Sequence, residues 1–223
     1  MIKGLGAISA FLVRSLLWLL PVLGLWYLLR AYAVLPATWL AGWVMEALFP
    51  YWVQGSELAG TTQTLLTHLQ VRGAQGLRGE LAPSVDVLVY AYGLPLLVTL
   101  LLASRATSLW WKLPAGYLAL LPFQAWGVCF TWLMQVAVLA GAETSRQTYF
   151  GPFAVNLIGA GYQFGFLVLP TLVPVLLWLA LDRRVMAAAL IEGALGARVP
   201  TAPAATAAPA APAAEPASTR ASA

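Results

Sequence analysis

The sequence predicts an all-α polytopic membrane protein, with four transmembrane helices, an interfacial helix and a small extracytoplasmic β-hairpin. Hydrophobic residues make up 61% of the chain and charged ones 9%, against about 45–50% and ~25% in soluble domains. Four apolar runs, 15–35, 85–103, 113–140 and 154–181, are each long enough to cross ~30 Å of hydrocarbon at 1.5 Å per residue. Basic residues gather in short loops and at helix ends. Lipid offers the backbone no hydrogen-bond partner, so a segment at that depth must be helical.

Residues 1–14 read as a cytoplasmic N-terminus. The first run then imitates a secretory signal, with Lys3, an apolar stretch and the small-residue pattern Ala31-Tyr32-Ala33. Its length, the bulky Trp26, Tyr27, Leu28 and Leu29, and Arg30 beside the supposed cut favour a retained anchor over 15–35. Over 37–49, Trp39, Leu40, Trp43, Val44, Ala47 and Leu48 recur at helical spacing with aromatics at a membrane edge, the pattern of a helix lying at the interface.

Residues 50–84 change period. A Thr-rich stretch, 60–71, shows partial alternation; Arg72-Gly73-Ala74-Gln75-Gly76 supplies a turn and 77–81 a second extended stretch. This predicts a β-hairpin outside the membrane. A lone hairpin is barely stable in water, so it should rest on helix ends or on a partner. The runs 85–103, 113–140 and 154–181 supply the second to fourth spans. The remainder, 182–223, is a cytoplasmic tail: 186–195 extends the last helix along the surface, and the Ala/Pro-rich stretch from Val199 is too poor in large apolar residues to fold.

Orientation follows from the cations. Lys3, Arg14, Arg105, Lys112, Arg183, Arg184 and Arg198 fall on one side of the four spans, and Arg30, Arg72, Arg78 and Arg146 on the other. The richer side should be cytoplasmic, which puts both termini inside. The net charge of +4 therefore reports orientation and implies no nucleic-acid partner.

Polar residues inside the spans are the candidate recognition groups, because each costs free energy in hydrocarbon unless it meets a partner. Gln124, Val128, Thr131 and Gln135 form one stripe on the third helix; Asn156, Gly159 and Gln163 form one on the fourth. Gly161 and Gly165 make a small-xxx-small pattern that permits close backbone approach. The two helices are expected to pack through these faces. Kinks at Pro95 and Pro122, with Tyr92, Gln124, Trp126 and Gln163 offering hydrogen bonds, would form a groove beside them.

Catalytic signatures are absent. Cys129 is the sole cysteine and His68 the sole histidine, which excludes an intrachain disulfide and makes a conventional zinc site improbable. No serine elbow, phosphate-cradling glycine loop or HExxH occurs, and no cofactor is implied. Cys129 with His68 is the one thiol–base pairing open to a transpeptidase, but Val128 and Phe130 give the thiol an apolar setting. A small-molecule carrier is a further alternative, without the midplane charges or internal repeat usual in transporters.

Four blocks resemble the exosortase H-associated membrane proteins of Gram-negative bacteria: Arg14-Ser15-Leu16-Leu17-Trp18 with Pro21 and Trp26-Tyr27; Tyr90-Ala91-Tyr92-Gly93-Leu94-Pro95; Leu121-Pro122-Phe123-Gln124-Ala125-Trp126-Gly127-Val128; and Gly161-Tyr162-Gln163-Phe164-Gly165 with Pro170, Pro174, Trp178 and Arg183-Arg184. The resemblance covers roughly 10–186. It implies an inner-membrane accessory working beside an exosortase, the membrane cysteine transpeptidase that processes proteins with a C-terminal sorting signal. The expected role is non-enzymatic: to bind the transpeptidase or its substrate's membrane tail through Tyr92, Gly93, Pro95, Gln124, Trp126, Gln135, Asn156, Gly161, Gln163 and Gly165.

Overall fold

A computed structural model describes residues 7–72 and 78–182. The tail from 183, with its predicted helical extension and disordered end, and the predicted turn over 73–76 lie outside those residues. Among the described residues, three helical stretches are long and apolar enough to cross a membrane, Ser9–Leu28, Leu109–Leu139 and Pro152–Leu181; Leu88–Ala103 is apolar but shorter.

The first predicted span divides. Helix α1 (Ala7–Leu28) starts earlier than 15–35 and stops sooner, and α2 (Arg30–Leu48) follows after Leu29. Arg30 sits at the break, where its guanidinium donates to the Tyr27 carbonyl (3.4 Å) and lies 4.0 Å over the Tyr27 ring. A cation there faces the negative end of the α1 dipole, whereas a continuous span would carry it into hydrocarbon. Helix α2 absorbs the predicted interfacial helix. Its small-residue side (Val34, Ala37, Thr38, Ala41, Gly42, Met45) is buried and packs on α5, while Trp39 and Trp43 on the other side stay exposed.

The predicted hairpin is part of a larger β region. Strands β1 (Val53–Ala59) and β2 (Thr62–Thr67) turn at Gly60, whose φ of +67° suits glycine. β5 (Ser84–Asp86) adds antiparallel to β2, giving the order β1-β2-β5. β3 (Gln70–Arg72) and β4 (Arg78–Glu80) form a separate antiparallel pair. The expected single strand over 60–71 breaks at His68 and Leu69, where the Thr67 hydroxyl accepts from the Leu69 amide (3.3 Å) and donates to the Leu81 carbonyl. Val85, expected to open the second span, pairs with Gln63 instead. The sheet lies close against α2 because Gly42 has no side chain: a β-carbon there would fall 2.5 Å from Ser56 Oγ. Buried Gln63 donates across the junction to the Thr38 carbonyl (2.9 Å) and Ser56 Oγ (3.0 Å).

Helices α3 (Leu88–Ala91) and α4 (Gly93–Ala103) lead to α5 (Leu109–Met134), which continues as a π-helical turn over Gln135–Leu139. After α6 (Ala142–Thr148), α7 (Pro152–Gln163) passes through a second π turn, Phe164–Val168, into α8 (Leu169–Leu181). Pro170 explains the second widening, since it has no N–H for the Phe166 carbonyl and its ring crowds that group.

These elements join two ends. At one end Asp182 meets buried Lys112 (4.0 Å) and accepts from Ser104 Oγ (2.9 Å), and Phe11 stacks on Trp178 at 5.2 Å. At the other, Gln135 holds Ser84, and Phe49 packs edge-on to Phe150 at 5.9 Å. The described residues thus run between these ends through α1 and α2, α3 and α4, α5, and α7 and α8. Both termini of the described chain lie at the Asp182 end.

Candidate partner-docking face

Helix α7 and the π turn after it meet α5 through glycines. A β-carbon at Gly161 would overlap the Phe130 ring, and one at Gly165 would lie 3.0 Å from Trp126 Cδ1. Trp126 stacks on Phe130 (4.5 Å) and its Nε1 donates to the Gly161 carbonyl (3.1 Å). Both predicted glycines therefore mark a real close approach. Gly127, on the facing helix, is filled the same way by the Tyr90 ring.

The polar stripes do not meet, contrary to the sequence expectation. On α5, Gln124 and Val128 are buried; the Thr131 hydroxyl donates to the Gly127 carbonyl (2.8 Å) and bonds Tyr90 Oη. Gln135 grips the sheet edge, its Oε1 accepting from the Ser84 amide (3.1 Å) and its Nε2 donating to the Ser84 carbonyl (2.7 Å). On α7, by contrast, Asn156 and Gln163 are exposed on the outer face, opposite the glycines. Phe153, Ala160 and Leu167 are exposed along the same stripe, and among the described residues neither amide has a hydrogen-bond partner. Sequence spacing placed both amides on one stripe; the glycines decide that the stripe faces out.

The predicted groove is not assembled as expected. Buried Gly93 sits against Pro170 and Pro174, where a β-carbon would fall 3.1 Å from the Pro170 carbonyl and 2.9 Å from Pro174 Cγ. Pro95 is buried in the first turn of α4 and Tyr92 is half-buried between α3 and α4. Gln124 and Gly93 line a cavity of about 10 Å³ with Tyr90, Phe123 and Pro170, too small for a partner side chain. The open groove lies elsewhere, between α2, α5 and α7, with a volume of about 610 Å³. Its walls are apolar and include Leu40, Val44, Pro122, Trp126, Leu157 and Ile158. Leu40 and Val44 carry the helical spacing assigned above to an interfacial helix, which is why the α2 wall is not legible from sequence.

Cys129 and His68 line different cavities. The Cys129 thiol is buried beside the apolar groove and donates to the Ala41 carbonyl (3.6 Å). His68 is exposed near β3, where its Nδ1 accepts from Gln54 Nε2 (2.7 Å).

The chain matches the family model of exosortase H-associated membrane proteins over residues 6–185 and belongs to that family. No curated protein matches it, and no solved structure does.

Proposed function

We propose that this family member is a non-enzymatic accessory that seats a transmembrane helix of an exosortase-type transpeptidase against the outer face of α7. The observation that carries this reading is the outward exposure of Asn156 and Gln163 on a segment long and apolar enough to cross a membrane. Gln163 stands roughly 16 Å along the helix from Pro152, at 1.5 Å per residue, well inside hydrocarbon in a bilayer-crossing helix. An amide moved from water into alkane with no partner costs about 4–8 kcal/mol. A hydrogen-bonding neighbour helix recovers about 0.6–2 kcal/mol per contact. Lipid offers no such group. Ala160 between the two amides allows a second helix to come close, and the apolar groove beside Leu157 gives it lateral packing.

In the same reading the protein resides in the bacterial inner membrane and crosses it four times. The fourth crossing is Leu88–Ala103, about 24 Å of helix, which joins the same two ends as the longer candidates. Lys112 and Arg105 lie at the Asp182 end, in keeping with a cytoplasmic location for both termini, and the sheet is extracytoplasmic.

Coexpression and affinity capture with the exosortase test the docking face. Asn156→Leu with Gln163→Leu leaves the α5 contact intact and is expected to abolish capture. Full capture by the double variant, or no capture by the wild type, contradicts the reading. Retained substrate processing in Cys129→Ala is the expected result for a protein without thiol chemistry.

A further inference from the structure

We propose that the apolar groove between α2, α5 and α7 holds one acyl chain of a membrane phospholipid from the sheet-side leaflet. The inference takes the membrane crossing from the reading above and is independent of the docking face on α7.

The walls decide the chemistry of the occupant. Buried Met45, Ala125, Cys129, Leu133 and Ile158 form the floor. Among the described residues, none that lines the groove carries a charged, amide or hydroxyl side chain. Its two side-chain donors are already used: Trp126 Nε1 donates to the Gly161 carbonyl (3.1 Å) and the Cys129 thiol to the Ala41 carbonyl (3.6 Å). An occupant with a polar group inside the groove buries that group unpaired, so the fitting occupant is hydrocarbon.

Shape separates a lipid chain from a helix. Along α5 the lining runs from Pro122 to Leu133, ~16 Å at 1.5 Å per residue. A volume of about 610 Å³ spread over that length leaves a mean cross-section of roughly 40 Å². A helix ~10 Å across fills about 80 Å², twice what the groove offers, whereas a single file of methylenes is far narrower.

Position selects a phospholipid. The groove starts at the Phe49 and Phe150 pair, at the end of the bundle where Gln135 clamps the sheet and where Tyr51 and Tyr149 are exposed. Aromatic side chains of this kind lie level with lipid headgroups. From there the groove reaches ~16 Å inward, and one leaflet of a ~30 Å hydrocarbon core is ~15 Å deep. A chain anchored at the headgroup level therefore reaches the Pro122 end. Leu40, Val44 and Leu157 on the rim are half-buried or exposed, which leaves the groove open sideways to the bilayer. Lipid surroundings supply no hydrophobic drive, so the gain is dispersion contact with walls that otherwise lack partner atoms.

The test places the full chain in palmitoyl-oleoyl-phosphatidylglycerol vesicles with a trace of the same lipid carrying a diazirine on its acyl chain, and maps the adducts after irradiation. Adducts on the buried floor, at Ala125, Cys129 or Leu133, are expected beside those on the exposed face of α1 around Leu16. V44W/A154F fills the groove from two half-buried wall positions and is expected to lower the floor adducts about tenfold, with the α1 adducts and the melting curve unchanged. The wild-type floor adducts decide the matter even where that variant does not fold. Adducts confined to exposed faces, equal floor labelling in wild type and folded variant, or a lipid-free dimer in native mass spectrometry, which gives the groove to a second copy, overturns the proposal. Carbonate extraction separates the premises: a chain released from membranes refutes the crossing, and a retained chain without floor adducts refutes the lipid site alone.

Discussion

At Gln124 both amide atoms are buried without a hydrogen-bond partner among the described residues. An unpaired buried polar group costs about 1–3 kcal/mol, and replacing it with an apolar group of the same shape removes that cost. Gln124→Met is therefore expected to leave the melting temperature unchanged or higher, and exosortase capture unaffected; a clear drop in either assigns the amide a partner. The opposite holds for Asp182, which faces Lys112 with both side chains nearly buried and shares Ser104. Removing one member of a buried pair leaves the other charge unopposed, at about 3–5 kcal/mol. Asp182→Asn should thus lower thermal stability sharply, and Lys112→Met with Asp182→Leu should restore most of it. A single substitution that leaves the melting curve in place contradicts the role given to the pair.

The α5–α7 contact depends on side chains that are missing. Gly161→Leu drives a side chain into the Phe130 ring, and overpacking of this kind costs about 1–3 kcal/mol. It should lower stability and alter Trp126 fluorescence, because the bond to the Gly161 carbonyl parts. Gly159 is the control: nothing lies within 4 Å of a β-carbon built there, so Gly159→Leu should be nearly neutral. Equal effects at the two positions contradict the packing. The close approach was readable from Gly161 and Gly165, since only small residues let two backbones come so near. The direction of the amides was not. In lipid the outer face of a helix is as apolar as the inner one, so the stripe of Asn156 and Gln163 is plain in the sequence while the side it faces is set by neighbours. The same ambiguity hides α2, whose tryptophans suggest an interface while Ala37, Ala41 and Gly42 pack it onto α5 and the sheet. The short strands β1 and β5 escape notice because strands of three to seven residues leave little period to detect, and Val85 reads equally well as the start of an apolar span.

The described residues form a helical bundle with a β region held at one end by two glutamine clamps, Gln135 on Ser84 and Gln147 on Gln70. Hydropathy makes the long helices legible because hydrocarbon imposes length and composition on each segment separately. It says nothing about how the helices are arranged, which rests on contacts such as Phe11 with Trp178 and Phe49 with Phe150. Among the described residues, that arrangement leaves the Asn156 and Gln163 stripe on the outside of α7 without a partner. The most direct measurement is photo-crosslinking in native membranes with a benzophenone side chain placed at position 163, and at exposed Leu12 on α1 as the control. An adduct with the exosortase from 163 and none from 12 is the predicted result; adducts from both positions alike, or from neither while the exosortase is present, would contradict docking on this face.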